Sequence, residues 1–386
     1  MITPTRKYEL DWLRVLAILA VFVFHSARFF DPTDWHVKNP TVYSILTPAM
    51  MFFIVWGMPL LFAISGGSVY YALDKHRAGR FLKDRALRLV VPLAIGIFTH
   101  IMWQVYLERL THGQFQGSFF RFVPHYFDGL YGLGGNFAWM GLHLWYLELL
   151  FLFSLALLPF FLWLRKGSGR PVLAWLGDRL AFPGGIYLLA IPVWLLLVLP
   201  DPGHPLTARV FGGWSLVAYI PFFFNGFLLV SNDRLYDSVR RSRWVSLAAG
   251  SLLMPWLAIM YSRTGEPTYG TSYFVLLLST FGLSSWLWVL AILGFSIQRL
   301  RYSRPFLAYA NEAVLPFYIL HQTILLTLGY FIVRRPLADM LKWAITAAFS
   351  FIICIGLYEL LIRRINPLRF LFGLRPRVKK KLAATA

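Results

Sequence analysis

Apolar residues dominate this chain in long runs, broken at intervals by short polar, basic or Gly/Pro-rich stretches. A run of about 20 apolar residues is long enough to cross a hydrocarbon core of about 30 Å as an α-helix. Ten such runs are legible, at 10–30, 45–72, 87–107, 143–164, 184–200, 210–230, 244–262, 271–297, 312–332 and 341–362. The pattern predicts an all-α, polytopic membrane bundle of about ten transmembrane helices. The second and eighth runs are long, which predicts tilt or a broken helix. No soluble domain is legible, so 1–386 reads as one integral-membrane domain ending in a basic tail, 363–386.

Composition agrees: 58% of the 386 residues are hydrophobic and only 14% charged. The formal net charge of +20 taken alone suggests nucleic acid, but its placement argues against that partner. With the N-terminus set inside, 27 of the 37 Lys and Arg residues fall in the inside connections and 9 outside, Arg14 lying within the first span. That asymmetry is the positive-inside pattern. It puts both termini in the cytoplasm and reads the basic balance as topology and affinity for anionic membrane lipid. The only cysteine is Cys354, so no intramolecular disulfide forms. The first run has no small-residue cleavage site and carries Asp11, Arg14 and His25, so it reads as a retained span, not a signal peptide.

Those three residues are the first candidate chemistry. Ionisable groups in a span are costly and usually mark a functional site. Arg14 and His25 are eleven residues apart, about three helical turns, which puts them on nearly one face and about 16 Å apart along the axis. Asp11 joins the same stripe. His25 suits a general base or acid near neutral pH, or else is a buried histidine bonded to a carbonyl; its polar neighbours favour the first. Arg14 either binds a phosphate or carbonyl oxygen, or snorkels to the headgroups and pairs with Asp11.

Arg80, Lys83, Arg85 and Arg88 form a basic patch before Pro92. It offers donors to a phosphate-rich donor such as coenzyme A, or serves as a positive-inside anchor. His143 and Glu148 open the fourth span, and an intramembrane carboxylate is unlikely to face lipid. The segment 31–43, with Trp35 and His36, follows the span bearing His25. The longest connection, 108–142, holds Gly113, Gly117, Gly129, Gly132, Gly134 and Gly135 among many aromatics, including Trp139. Such a loop is more often functional or re-entrant than a linker. Ser65, Gly66, Gly67 and Ser68 read as a packing site for another backbone. Metal ligation is unsupported by any histidine or carboxylate spacing, and no phosphate loop or dinucleotide fingerprint occurs.

Taken in order, these elements resemble the acyltransferase 3 family of ten-span membrane O-acyltransferases. The likeness is carried by Leu10-Asp11-Trp12-Leu13-Arg14 through Phe24-His25, an Arg-(ten)-His motif, then Asp34-Trp35-His36-Val37 and Phe62-Ala63-Ile64-Ser65-Gly66. Phe81 to Pro92, His143-Leu144-Trp145-Tyr146-Leu147, Tyr219 to Phe223, Phe317 to His321 and Tyr358 to Phe372 follow. Within the family, the likeness is to the branch that succinylates periplasmic glucans. The resemblance implies transfer of an acetyl or succinyl group from cytoplasmic acyl-coenzyme A, with no tightly bound cofactor, to a hydroxyl of an extracytoplasmic carbohydrate acceptor. It implies a multi-pass protein of the bacterial inner membrane, with His25 as the essential histidine and Arg14 as its motif partner. The coenzyme is then expected on Arg80, Lys83, Arg85 and Arg88, and the sugar among Trp35, His36, Trp139, His143, Trp145 and Glu148. A transporter or flippase for a small anion or lipid-linked glycan is the alternative, because a polar stripe also serves permeation; a sensor with a vestigial site is a weaker third reading.

Overall fold

A computed structural model describes residues 6–75, 77–204, 207–265 and 267–377. The described residues form helices and no strand. In chain order the helices are α1 (Tyr8–Ala27), α2 (Thr47–Lys75), α3 (Ala78–Gly96), α4 (Met102–Thr111), α5 (Phe119–His125), α6 (Trp145–Ala156), α7 (Leu158–Arg165) and α8 (Gly169–Leu180). They continue as α9 (Ile191–Val198), α10 (Tyr219–Ser231), α11 (Asp233–Thr264), α12 (Ser272–Arg299), α13 (Pro305–Ile332), α14 (Asp339–Leu357) and α15 (Asn366–Leu371). A π turn, Ile97–Ile101, joins α3 to α4, so 78–111 runs as one long helix.

The ten expected spans are met in part. Among the described residues seven helices are long and apolar enough to cross a membrane, or up to nine if each of two bent pairs counts as one span. The bent pairs are Leu142–Ala156 with Leu158–Arg165, at 51°, and Gly169–Leu180 with Gly185–Val198, at 117°. The expected sixth span, 210–230, is only the 13-residue α10. Hydropathy sums apolar residues and cannot register where the backbone turns, so Gly212 and Gly213, both at positive φ, passed as part of a span. α11 errs the other way. It starts eleven residues before its apolar run, because the Asn232 side chain accepts from the amides of Arg234 and Leu235 and so caps the helix early.

The chain divides into two compact units. The first comprises Met1–Pro32, Val42–Leu82 and Leu149–Asn311. Here α2 lies along α10, α1 packs on α2 and α12, and α11 packs on α12. The closest approach is made by glycines, as the Ser65–Ser68 segment predicted. A Cβ at Gly66 would stand 1.8 Å from the Phe223 carbonyl oxygen, and one at Gly226 would stand 1.8 Å from that of Ala63. Without side chains there, two backbones touch, which is how membrane helices gain dispersion energy that lipid does not offer. Around this seam Phe62, Phe161, Phe222, Phe223, Phe227, Trp214 and Trp286 are fully buried. The indoles are satisfied, Trp214 by the Ile54 carbonyl at 2.9 Å and Trp286 by that of Ile186 at 3.0 Å.

The second unit comprises Thr33–Thr41, Lys83–Glu148 and Glu312–Ala386. Its long 112–144 connection is ordered. α5 seats Phe122 against Tyr106 and Phe115, and Arg109 ties the loop down through Asn136 Oδ1 at 2.7 Å and the Gly135 carbonyl at 2.9 Å. Burial lifts the Tyr126 phenol to about 12, and its hydroxyl donates to the Ile97 carbonyl.

Part of the basic tail is tied into the second unit. Arg369 is 5% exposed and ion-paired to Glu312 at 2.8 Å, which also accepts from the Tyr358 hydroxyl. Gly373, at φ +69°, turns the chain so close to α3 that a Cβ would meet the Arg88 carbonyl at 2.5 Å. Arg369 is therefore a buried structural charge. The remainder of the tail, 378–386, lies outside the described residues.

Candidate functional site

In the first unit α1 carries Arg14 and His25 on one face, as its regular helix requires. Arg14 is held by three side chains. Its guanidinium donates to Ser68 Oγ on α2 at 2.8 Å, to Asn311 Oδ1 on α13 at 3.4 Å and to Asp11 Oδ1 at 3.3 Å. A guanidinium has five N–H donors, more than these three contacts use. His25 is half-buried, with its ring centroid 5.4 Å from that of Phe24, and Phe24 in turn stacks on Phe53 of α2. Beyond His25, Arg28 pairs with Asp31, which is 1% exposed. At the other end of α1, Glu9 is 2% exposed and accepts from the Tyr236 hydroxyl at 2.8 Å, with Arg301 Nε 3.6 Å away. Sequence reasoning missed Glu9 because it precedes the apolar run.

The patch residues Arg80, Lys83, Arg85 and Arg88 occupy the first three turns of α3. Arg80, Lys83 and Arg88 are exposed and Arg85 is half-buried.

The second unit holds a polar chain that the sequence reading did not assemble. His36 places Nδ1 against Glu108 Oε2. Glu108 also accepts from the Tyr131 hydroxyl at 2.8 Å and pairs with Arg109 at 3.2 Å. Burial, and next the Glu108 charge, raise the Tyr131 phenol, so it remains a donor. A carboxylate only accepts, so His36 carries its proton on Nδ1 and its Nε2 accepts from Gln322 Nε2 at 3.3 Å. The other Gln322 N–H goes to Gln104 Oε1 at 3.1 Å. Gln104 then donates to Thr323 Oγ1 at 2.6 Å, which lies 2.9 Å from His100 Nδ1. His100 stands in the π turn, a feature frequent at functional sites. Its ring is 6.3 Å from that of His143, which is 5.2 Å from that of His321. The signal was present: His100, Gln104 and Glu108 are spaced i, i+4, i+8, one face of a helix. The reading lost it by ending the third span at 107.

The sequence-predicted acceptor residues are therefore not all alike. His36 is buried, with both ring nitrogens engaged inside the protein, so it offers no nitrogen to a sugar as it stands. His143 is also buried and bonds the Ile319 carbonyl. Trp35, Trp145 and Glu148 are half-buried. Trp139 is 45% exposed, an aromatic face open to a ligand. Among the described residues no group of His, Cys, Asp and Glu could hold a metal ion.

The chain of buried bonds predicts its own thermodynamics. Glu108→Ala strands His36 and Tyr131 without their acceptor, and breaking a buried pair costs about 3–5 kcal/mol. A thermal unfolding series in detergent checks this. The Glu108→Ala, His36→Ala double variant is expected to fall well short of the sum of the singles, because partners in one network are not additive.

With this geometry described, comparison with known proteins decides the class. An acyltransferase-domain model, that of the acyltransferase 3 family, matches residues 7–359. The chain belongs to the acyltransferase 3 family. It is a multi-pass membrane acyltransferase. Among curated proteins it is similar to glucans biosynthesis protein C of Salmonella heidelberg, with 24% identity over 98% of this chain and 97% of the relative. The protein of the same name from Salmonella typhimurium is also 24% identical, over 98% of each chain. No solved structure matches it significantly. The family match spans α1 with Arg14 and His25, the patch of α3, and both polar residues Gln104 and Gln322 of the buried chain.

Proposed function

We propose that this acyltransferase moves an acetyl or succinyl group from acyl-coenzyme A to a hydroxyl of a glycan outside the cytoplasm. Both termini are then cytoplasmic and the protein resides in the bacterial inner membrane. The observation that carries the reading is Arg14, held by Ser68, Asn311 and Asp11 on the same helical face as His25. A cation so fixed inside a span is positioned for a ligand rather than for the headgroups.

In the reaction His25 takes the proton from the acceptor hydroxyl as its oxygen attacks the thioester carbonyl. The carbon–sulfur bond breaks, and coenzyme A leaves with the proton returned from His25. Arg14 holds the donor through its guanidinium. Arg80, Lys83, Arg85 and Arg88 meet the donor's phosphates. The glycan's apolar face is taken by aromatic side chains, with Trp139 the most open of those predicted. The names of the Salmonella relatives support a glucan-type acceptor, and the positive-inside count supports a cytoplasmic donor.

The test is turnover of labelled acetyl- and succinyl-coenzyme A by purified protein in liposomes with a gluco-oligosaccharide acceptor. Thiol release matched by label on the sugar supports the proposal and ranks the donors. Binding of neither donor removes coenzyme A from it.

Ser68→Ala probes Arg14 without touching it. Losing a hydrogen bond to a charged group costs about 1.5–3 kcal/mol. If that loss falls on donor binding, KM for the donor rises about tenfold or more, while kcat changes little. A fall in kcat alone would place Arg14 at the reacting carbonyl instead.

A further inference from the structure

A cleft of about 350 Å³ opens in the second unit, lined by Val37, Lys38, Asn39, Pro40, Thr111, His112, Val333 and Arg334. Its basic groups come from three separate stretches: Lys38 from the 33–41 strap, His112 from just past α4, and Arg334 from just past α13. No carboxylate is among the residues lining it. The acidic group at its edge is Asp34, 86% exposed and 3.8 Å from His112 Nε2.

The cleft is built rather than incidental. Its strap is pinned at several points. His36 is locked to Glu108, and its carbonyl accepts from Thr111 Oγ1 at 2.5 Å. Val37 is 1% exposed. Asn39 accepts from buried Lys342 at 3.1 Å, whose charge Asp339 balances at 3.0 Å. The side chains are oriented as well. Arg334 lies 3.6 Å over the Tyr330 ring and donates to the Tyr330 carbonyl, Lys38 donates to the Thr33 carbonyl at 3.0 Å, and His112 bonds the Trp35 carbonyl at 3.2 Å. A guanidinium has five N–H donors, more than the one Arg334 gives to the Tyr330 carbonyl. The buried chain thus acts as foundation for this strap.

We propose that this cleft binds an anionic substituent, a phosphate or carboxylate, carried by the glycan acceptor. A planar guanidinium beside an ammonium is the pairing that suits such oxygens. The volume, near the lower end of small-molecule pockets, fits one substituted sugar unit rather than a long chain. The anion site stands on the cleft alone, whereas its assignment to the acceptor rests on the acyl-transfer reading above. The enzyme then prefers charged to neutral acceptors, and membrane phosphate is the competing source of the same chemistry.

The test is binding, which needs no turnover. Full-length protein in phosphatidylcholine nanodiscs is titrated by calorimetry with a gluco-oligosaccharide carrying one phosphate, and with its unsubstituted counterpart of equal length. At low salt the charged probe is expected to bind about tenfold more tightly, a preference that shrinks with added salt. The Lys38→Ala, Arg334→Ala double variant is expected to abolish the preference and keep the neutral affinity. Arg334 is exposed and Lys38 half-buried, and size-exclusion elution beside wild type reports whether the variant is folded. Equal affinity for the two probes, or a preference that survives in the double variant, overturns the site. Loss of the charged probe's binding in phosphatidylglycerol nanodiscs overturns the glycan as bearer of the anion. If acyl transfer itself fails while the binding preference holds, the acyltransferase mechanism falls and the cleft does not.

Discussion

His25→Ala is expected to abolish acyl transfer while leaving the protein folded. A positioned general base contributes about 10²–10⁴ in rate, and on the proposed mechanism His25 serves both proton steps. Its ring is half-buried beside Phe24, so truncation removes chemistry with a modest loss of packing. Size-exclusion elution and thermal midpoint alongside wild type separate the two effects. His25→Gln sharpens the measurement. The amide keeps polarity and much of the volume but takes no proton, so it is expected to be as inactive as Ala. Turnover by His25→Gln near the wild-type rate would assign the histidine to packing and move proton transfer elsewhere.

The largest effect on stability is expected at the seam between α2 and α10. Gly226→Ala puts a methyl 1.8 Å from the Ala63 carbonyl oxygen, and Gly66→Ala does the same at Phe223. Both obstacles are backbone, which a rotamer change does not relieve. The helices must separate, and the buried aromatic layer around Phe223 and Phe227 separates with them. Overpacking a core costs about 1–3 kcal/mol even where side chains can give, so each variant is expected to lose most monodisperse protein in fluorescence-detected size exclusion. Gly67→Ala meets its nearest atom at 3.2 Å, the end of the Val230 side chain, and is expected to be milder. Gly79→Ala has nothing within 4 Å and serves as the neutral control. Normal yield from Gly226→Ala would show that these helices do not depend on backbone contact.

Several features were legible before any coordinates. Apolar runs marked the long helices because a span must satisfy its own backbone and present apolar side chains. The eleven-residue interval placed Arg14 and His25 on one face because α-helical geometry is local. Gly66 read as a close-approach site for the same reason: only a missing side chain lets two backbones meet. Other features depended on tertiary packing. Arg369, one of the basic residues of the tail, is held inside by Glu312. His36 is buried, with both nitrogens engaged by Glu108 and Gln322.

What the sequence by itself determined is the membrane class, the helical architecture and the helix that bears the candidate base. These follow from composition and from periodicities within one segment. Only the tertiary structure decided which helices are bent, that α10 is a short buried helix, and that Glu108, His36, Gln322, Gln104 and His100 form one hydrogen-bonded line. It alone gathered Lys38, His112 and Arg334 around a single cleft. Those residues are separated by up to about three hundred positions, and nothing in local patterning specifies which distant donor will meet which acceptor. That pairing is chosen by the fold, through the cost of leaving any buried polar group unmatched.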